Sequence, residues 1–471
     1  MKTRFCPSPT GQIHLGNART ALFSALSAVN SHSKFVLRIE DTDLARSKQE
    51  YVDLLLQDLQ WMGLNWQEGP GVNGENGPYY QSLRQEIYDQ YYQQLINDGL
   101  AYPCFCSEKK LAMTRKAQRA AGQAPRYPGT CRHLQKDEID KKIELGEKPT
   151  LRFRMPNNTT ISFTDQVKGL QQFNSNDIGD FIIRRADGSA SFMFCNALDD
   201  ALMGVELVMR GEDHLTNSPR QIAILQALNL PIPNYAHIAL IAGPDGSPLS
   251  KRHGSQSIMQ LRDSGYLAIA INNYLARVGH SYESNELMSF KELAAAFDIQ
   301  RLSKSVAHFD LSQLRFWQKA AVHTLNEAEF WNWTGYEIAA SVDNEIKSLF
   351  YSTIHENVTF PSEVSTWIKC LLSDEIIYQS EAIKILKMAG ADFFTVVKDS
   401  LDKNGTDFSV IINDLKQNFD IKGKQLFMPL RVAFTGLMQG PEMKPILKIL
   451  GAQRAVNRCL TVNQLIKGSS C

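Results

Sequence analysis

The sequence lacks the features that would place this protein in a membrane or on a secretory route. None of its stretches approaches the roughly 18 consecutive apolar residues of a membrane-spanning helix. The first residues, Met1 to Pro7, also lack the roughly 7–15-residue apolar segment of a secretory signal. These absences argue against a membrane protein, and we expect a cytoplasmic protein without membrane contact.

The sequence also has no excess of charge of either sign, no internal repeat and no low-complexity segment. Its 50 lysine and arginine residues are balanced by 50 aspartate and glutamate residues, so any contact with nucleic acid must come from local basic patches. A chain of 471 residues is longer than one hydrophobic core usually serves. The length therefore predicts roughly three or four folding units.

Two short apolar runs and a helical pattern open the chain. Lys2–Cys6 is a predicted strand closed by prolines, and apolar residues from Ala18 to Val29 recur at helical spacing. Lys34–Ile39 is a second predicted strand, which ends at an acidic cluster. Ligands of open parallel sheets bind at the carboxyl ends of strands, where both following loops fall. The pattern predicts a nucleotide-binding α/β unit.

From about residue 85 the α/β pattern is interrupted, and it returns near Phe192–Arg210. The interruption contains tyrosine-rich, cysteine-containing and basic segments, so we expect an insertion that splits one nucleotide-binding fold. After Gly254 nearly every segment has helical periodicity. The predicted fold class is α/β plus all-α: a Rossmann-like domain split by an α+β insertion and followed by an α-helical half.

Two loops carry residues suited to phosphate chemistry. Arg4–Asn17 lies between a strand and a helix, where backbone N–H groups and a positive helix end attract phosphate and His14 can donate a hydrogen bond. Gly243–Gly254 carries Lys251, whose charge would stabilise a transition state that develops negative charge. When either loop is considered alone, an ordinary surface turn is the better explanation.

Together the two loops resemble the signature pair of the class I aminoacyl-tRNA synthetases. The similarity is closest to bacterial glutamyl-tRNA synthetases, whose PSPTG-x-x-H-x-G pattern matches Pro7–Gly16. Further segments that look like this family are Phe35–Thr42, Arg210–His214, Ser218–Gln221, Leu249–Gly254 and Met428–Ala433. By its sequence, the chain is identified as a member of that family.

The resemblance implies a set of site residues. The implied catalytic residues are His14, Gly16, Asn17 and Lys251. The implied ATP-binding residues are Thr10, Gly11, His14, Gly16, Ser250, Lys251 and Arg252. The implied glutamate-binding residues are Arg4, Cys6, Ser8, Glu40, Phe192, Asn196 and Arg210. A guanidinium can hold a carboxylate through two parallel hydrogen bonds, so Arg4 and Arg210 suit a dianionic amino acid. For each arginine, a surface ion pair is the competing interpretation.

Three positions depart from the family's pattern. Phe192 stands where many members carry tyrosine, so one hydroxyl that could contact glutamate is missing. Pro248 stands where the family usually has lysine, so only Lys251 of the two lysines in that loop remains. Asn17 replaces the second histidine of the general class motif, at a position that varies within this family. We expect an active enzyme with a weaker hold on pyrophosphate.

Cys104, Cys106, Cys131 and His133 have the spacing of a zinc site. Two short pairs, C-x-C and C-x-H, are separated by 24 residues, and three thiolates with an imidazole make a closed tetrahedral set. We expect a structural Zn²⁺; three buried thiols with an unrelated histidine are the alternative. The basic residues between the pairs could face the acceptor stem of a tRNA or form a solvated helix face.

The resemblance also implies a reaction and partners. ATP, with Mg²⁺, would activate L-glutamate to glutamyl-adenylate, and the glutamyl group would pass to the 3′-terminal adenosine of tRNA(Glu). The implied regions are a catalytic domain in two halves (1–85 and 191–255), a zinc-bearing acceptor-stem-binding insertion (86–190), a helical stem-contact domain (256–320) and an α-helical anticodon-binding region (321–471). We expect a monomer.

Alternative functions differ in features that can be read from the chain. A non-discriminating or tRNA(Gln)-specific glutamyl-tRNA synthetase that feeds transamidation stays open, given Phe192 and Pro248. A short paralogue that glutamylates a modified tRNA base would lack the α-helical half that this sequence predicts, so that alternative is disfavoured. Glutaminyl-tRNA synthetases typically carry Pro-Glu-Pro-Asn where this chain has Pro7–Thr10. A catalytically inactive tRNA-binding paralogue disagrees with the presence of His14, Gly16 and Lys251.

Overall fold

In the part of the chain that the structure describes, every strand lies within the first 308 residues, and helices make up the remainder. The computed structural model describes residues 1–43, 45–72, 74–243, 245–247, 249 and 256–468. Ser250, Lys251 and Arg252, which the sequence assigns to the ATP site, and the unusual Pro248 lie outside the described residues. Among the described helices, none is long and apolar enough to cross a membrane.

The chain divides into two units. Unit 1 consists of Met1–Arg262 and Ala268–Leu311, and unit 2 consists of Asp263–Leu267 and Ser312–Cys471. The strands, all in unit 1, are β1 (Thr3–Phe5), β2 (Phe35–Leu37), β3 (Ala101–Cys104), β4 (Thr150–Phe153), β5 (Thr160–Asp165), β6 (Gly169–Asn174), β7 (Phe181–Arg184), β8 (Leu207–Gly211), β9 (Asn234–Ile238), β10 (Ile241–Ala242) and β11 (Ala307–His308).

The helices up to residue 295 are α1 (Leu15–Asn30), α2 (Gln49–Trp61), α3 (Gln85–Asn97), α4 (Glu108–Ala120), α5 (Lys136–Glu144), α6 (Ser175–Ile178), α7 (Phe192–Leu202), α8 (Ser218–Ala227), α9 (Ile258–Asp263), α10 (Ala268–Arg277) and α11 (Phe290–Ala295). The later helices are α12 (Leu311–His323), α13 (Glu327–Thr334), α14 (Tyr336–Ala340), α15 (Asn344–Ile354), α16 (Pro361–Leu372), α17 (Ser380–Ala389), α18 (Ala391–Asn404), α19 (Phe408–Asn418), α20 (Lys424–Thr435) and α21 (Met443–Lys467).

A six-stranded sheet organises unit 1. Its order is β2-β1-β8-β9-β5-β6, in which the first five strands are parallel and β6 runs antiparallel to β5. The three residues of β2 are all buried and apolar, as expected for a parallel strand covered on both faces. Helix α1 packs on β1, and Ala18, Leu22, Ala25 and Leu26, which share one helical face, are all buried. The predicted nucleotide-binding α/β arrangement is thereby observed.

The segment between the two halves of the predicted α/β fold forms two structures. Strands β3, β4 and β7 make a separate antiparallel sheet, next to which the cysteine cluster lies. The β5–β6 hairpin instead extends the main sheet, because Asp165 at the end of β5 pairs in parallel with Tyr235 of β9. The domain limits read from the sequence stay predictions, but this hairpin shows that part of 86–190 belongs structurally to the main sheet.

Unit 2 is helical. Its core is made by apolar side chains that are completely buried, including Phe330, Phe350, Phe394, Leu415 and Leu447. Helix α21 is divided near Gly451, whose φ of 73° is outside the helical range. An α/β unit with a second, helical unit is the fold class predicted from the sequence.

Candidate active site

A cavity of about 380 Å³ lies in unit 1 at the carboxyl ends of β1, β2 and β8. The seven residues predicted to bind glutamate all line it: Arg4, Cys6, Ser8, Glu40, Phe192, Asn196 and Arg210. Thr10 and Gly16 of the predicted ATP site line it as well, together with Asn17, which was predicted to be catalytic. The tertiary structure therefore brings the two predicted groups to one cavity, although their members come from segments about 200 residues apart in the sequence.

Arg4 is held in the cavity wall by a buried carboxylate. Its Nε donates to Asp200 at 3.2 Å, and its Nη1 donates to the Met209 carbonyl at 3.1 Å. Arg38 shares the same acid, with Nη1 at 2.8 Å from the Asp200 carboxylate. Burial alone would raise the pKa of Asp200, but the two guanidinium groups lower it below its usual range. Asp200 therefore stays ionised and forms an ion pair with both arginines, and Glu40 forms a second ion pair with Arg38.

A chain of side-chain hydrogen bonds connects the two sides of the cavity. Arg38 and Asn196 both donate to Glu40 Oε1, at 3.0 and 2.6 Å. Gln221 donates to Asn196 Oδ1 at 2.7 Å and accepts from Arg210 Nη2 at 2.6 Å. All five side chains are at least nine-tenths buried. Such a connected network orients each member before a ligand arrives.

Arg210 lines the cavity and has a guanidinium nitrogen with donor capacity to spare. Its Nε donates to His237 Nε2 at 3.2 Å, and its Nη2 donates to Ser218 and Gln221. Its Nη1 is buried and has no hydrogen-bond partner among the described residues. A buried guanidinium nitrogen without an acceptor is costly, so this atom marks where an anionic group of a ligand belongs.

Two further predicted residues form the cavity rim. Burial raises the pKa of the Cys6 thiol to about 12, so it is a neutral wall residue and not a nucleophile. Phe192 begins α7, and its ring centroid lies 5.3 Å from that of His214. Burial, with Arg210 as the next cause, lowers the pKa of His214. His214 is therefore neutral at neutral pH, and the Asp213 carboxylate lies 3.6 Å from its Nε2 on this side of the cavity.

The nucleotide side of the cavity is formed by the start of α1. Gly16 and Asn17 lie in its first turn, and Asn17 is exposed. His14 precedes the helix in an extended conformation and forms an antiparallel bridge with Ser257. Gly11 and His14 lie in the same loop as Thr10 but are not among the residues that line the cavity. The helix end can still attract phosphate through its free backbone N–H groups.

Three of the four predicted zinc ligands come together. The sulfur atoms of Cys104, Cys106 and Cys131 lie within 4.8 Å of one another, and His133 is not part of this group. The Tyr127 hydroxyl lies there instead, 3.4 Å from Cys104 Sγ and 3.7 Å from Cys106 Sγ. Although burial would raise the pKa of Cys104, hydrogen bonding lowers it to about 7, which favours a thiolate. The three converging thiols could hold a zinc ion.

Several residues of these sites were not singled out from the sequence. They are Arg38, Tyr127, Asp165, Asp200, Gln221 and His237. Arg38 and Gln221 lie inside segments that resemble the family, which is a usable signal. The other four carry no local signal, because their importance comes from partners that are distant in the sequence.

Comparison with known proteins gives consistent results for both units. The family of class I tRNA synthetases (E and Q), catalytic domain, matches residues 1–316, and the anticodon binding domain family matches residues 329–460. Glutamate–tRNA ligase 2 of Coxiella burnetii (strain RSA 331 / Henzerling II) is 52% identical over 458 residues, which are 97% of this chain and 98% of that protein.

Two other relatives extend the comparison. Glutamate–tRNA ligase 1 of Methylococcus capsulatus (strain Bath) is 50% identical, covering 97% of each chain. A solved structure of a glutamate tRNA ligase from Elizabethkingia meningosepticum, in complex with its amino acid, has a TM-score of 0.89 at 26% identity and covers 98% of this chain and 99% of that chain. This chain therefore belongs to the glutamate–tRNA ligase family of class I tRNA synthetases, which confirms the family, fold and enzyme class predicted from its sequence.

Proposed function

We propose that this protein uses ATP to activate L-glutamate and then transfers the glutamyl group to tRNA(Glu). The observation that carries the proposal is the cavity in unit 1, which is lined by three buried arginines, Arg4, Arg19 and Arg210, and by two acids, Glu40 and Asp213. Glutamate itself carries two carboxylates and one ammonium group. The three arginines and two acids that line the cavity leave one net positive charge, which complements the single net negative charge of glutamate.

The contacts of the cavity residues suggest how glutamate would be held. Arg210 Nη1 is a donor without an acceptor, so it would bind one substrate carboxylate oxygen. Arg4, whose charge is compensated by Asp200, would contribute directed N–H donors and little net field. Glu40 would face the ammonium group, since it is the acid among the residues that line the same wall as Asn196.

The chemistry needs positioning and charge stabilisation more than a strong base. The substrate α-carboxylate, already ionised, would attack the α-phosphorus of ATP, and pyrophosphate would leave. A ribose hydroxyl of the terminal adenosine of tRNA would then attack the acyl carbon of the adenylate, and AMP would leave. The start of α1 supports phosphate binding at this position. Mg²⁺ would arrive bound to the nucleotide. We assign His14 and Lys251 to charge stabilisation.

We assign Zn²⁺ to the three-cysteine cluster in a structural role. Cys104 lies at the end of β3, and Cys131 lies 27 residues later in the segment that returns to the small antiparallel sheet. A metal bound by these thiolates would tie the two ends of that segment together. The insertion so stabilised would contact the acceptor stem, and the helices matched by the anticodon binding domain would contact the anticodon.

The experiment is ATP-dependent transfer of labelled glutamate to purified tRNA(Glu) and, separately, to purified tRNA(Gln). We expect charging of tRNA(Glu) with a saturable dependence on glutamate. Charging of tRNA(Gln) would identify the alternative enzyme that feeds transamidation. Charging of neither tRNA, with pyrophosphate exchange also absent when tRNA is supplied, would overturn the proposal.

A further inference from the structure

We propose that Asp165 and His237 act as positioning residues that hold Arg210 in the orientation needed to bind a carboxylate of the amino-acid substrate. The inference rests on the proposed glutamate site and adds to it two residues outside the cavity wall. Asp165 ends β5, His237 lies on β9, and Arg210 lies on β8. Three neighbouring strands of the main sheet thus each contribute one member.

Asp165 is a buried acid whose two oxygen atoms are both occupied. Its Oδ1 accepts backbone N–H groups from Val167 and Lys168 at 2.9 and 2.8 Å. Its Oδ2 lies 2.6 Å from His237 Nδ1 and 3.1 Å from the His237 backbone nitrogen. Although burial alone would raise the pKa of Asp165, these hydrogen bonds lower it, so the carboxylate is ionised and only accepts.

An ionised Asp165 determines which nitrogen of His237 carries the proton. Because the carboxylate only accepts, Nδ1 must donate to it, and Nε2 is left as an acceptor. Burial lowers the pKa of His237, so the ring is neutral and Nε2 keeps its lone pair. That lone pair faces both Arg210 Nε at 3.2 Å and the Ser218 hydroxyl at 3.0 Å, so the histidine holds the arginine through neutral hydrogen bonds.

A neutral partner suits an arginine that must bind an anion. Arg4 and Arg38 are ion-paired with Asp200, whereas no carboxylate of the described residues forms an ion pair with Arg210. His237 therefore separates Arg210 from Asp165 and orients the guanidinium without neutralising it. With Nε held by His237 and Nη2 held by Ser218 and Gln221, Nη1 is the guanidinium nitrogen left without a partner among the residues described.

Asp165→Asn tests the arrangement, because the amide oxygen would keep the contacts with Val167 and Lys168. The amide nitrogen would then face His237 Nδ1, which would have to accept, and the proton would move to Nε2. His237 Nε2 could then no longer accept from Arg210 Nε–H and would donate to the Ser218 hydroxyl oxygen instead, so Arg210 would lose this acceptor. We expect the glutamate KM to rise about tenfold, with the ATP KM within about twofold of wild type, as for a lost binding contact.

A second pair of variants keeps the test decisive if Asp165→Asn folds poorly. In His237→Gln the side-chain oxygen reaches the position of Nε2 and can accept from Arg210, so the glutamate KM should stay within about threefold of wild type. In His237→Asn the shorter side chain reaches only Asp165, so the KM should rise about tenfold. Arg210→Lys sets the upper limit of the increase in glutamate KM, because it removes the guanidinium itself.

The matched control is Asp180→Asn. Asp180 is 5% exposed, and it accepts from Arg132, from Tyr102 and from the Met155 backbone. Its substitution also replaces a buried carboxylate by an amide, but Asp180 does not line the cavity. We expect Asp180→Asn to lower the melting temperature without raising the glutamate KM. Equal KM values in His237→Gln and His237→Asn, or equal rises in the ATP and glutamate KM, would overturn the positioning role. Failure of the wild-type protein to charge tRNA with glutamate would overturn the proposed function instead.

Discussion

Two arginines that look equivalent in the sequence have different environments in the folded protein. Arg4 is paired with Asp200, whereas Arg210 is surrounded by the neutral acceptors of His237, Ser218 and Gln221. The difference decides how much positive charge each presents to a ligand. We infer that Arg210 supplies most of the attraction for an incoming carboxylate, while Arg4 mainly supplies geometry.

Cys6 provides a prediction that depends on pH. Because burial raises its pKa to about 12 from an ordinary value of about 9, the folded protein keeps the thiol protonated at pH values where an unfolded chain ionises. We expect iodoacetamide at pH 8 to leave Cys6 unmodified in the native enzyme and to alkylate it in urea, as measured by peptide mass spectrometry.

The sign of the linkage gives a second readout for the same residue. A group whose folded-state pKa is raised stabilises the fold fully below its unfolded pKa and loses that contribution as the pH rises toward 12. Cys6→Ala should therefore show a smaller loss of stability between pH 9 and about pH 11 than wild type. Rapid alkylation of Cys6 in the native enzyme at pH 8 would contradict this description.

The β5–β6 hairpin shows how one element can serve two regions. It lies within the segment that interrupts the α/β pattern, yet it extends the main sheet and carries Asp165 to His237. At its turn, Lys168 pairs with Glu212 and donates to the Lys304 carbonyl at 2.7 Å. The hairpin thereby fastens the inserted segment next to residues that follow β8 and precede β11.

The cysteine-bearing segment yields a prediction about metal content. Cys131→Ser removes one of three converging sulfur atoms, so we expect zinc to fall from about one ion per chain to well below half, measured by elemental analysis after gel filtration. His133→Ala is the matched variant, since His133 is not in the cluster, and it should retain zinc. Loss of zinc from His133→Ala to the same extent would instead support the ligand set predicted from the sequence.

The division into two units has an unusual feature at residues 263–267. This short segment belongs to unit 2, although the chain on both sides of it belongs to unit 1. The Gly265 carbonyl accepts from Gln318 at 3.1 Å and from Trp333 at 2.8 Å, which holds the segment in unit 2.

The monomeric state and the cytoplasmic location expected from the sequence stay predictions.

Gly265→Ala should destabilise unit 2. Gly265 has a φ of +90°, and an added Cβ would lie 2.4 Å from Pro361 Cδ. Gly390→Ala is the control, with a φ of +82° but no atom within 4 Å of the added Cβ. Both variants incur the left-handed strain, and Gly265→Ala should lose about 1–3 kcal/mol more unfolding free energy because of the clash.

Urea unfolding followed by tryptophan fluorescence measures this difference, since four of the six tryptophans lie in unit 2. Equal unfolding midpoints for the two variants would mean that Pro361 moves away without cost. The comparison also tests whether the segment 263–267 is part of the cooperative structure of unit 2 or only lies against it.

The sequence by itself determined the features that depend on neighbouring residues. Strand, loop and helix follow in the predicted order near the amino terminus, and the seven residues assigned to glutamate binding do line one cavity. Such features can be predicted because hydrophobic periodicity and short motifs act over a few residues. The three cysteines of the predicted zinc site also meet, since their spacing limits where they can lie.

Only the tertiary structure decided which side chains are partners. Arg4 and Asp200 are 196 positions apart, and Asp165 and His237 are 72 apart, so no local pattern connects them. The same holds for the hairpin that joins the main sheet and for Tyr127, which lies beside the cysteines where His133 was predicted. A pairing of this kind depends on how separate elements pack. Packing brings together residues whose positions along the chain are unrelated, so the sequence alone cannot predict the pairing.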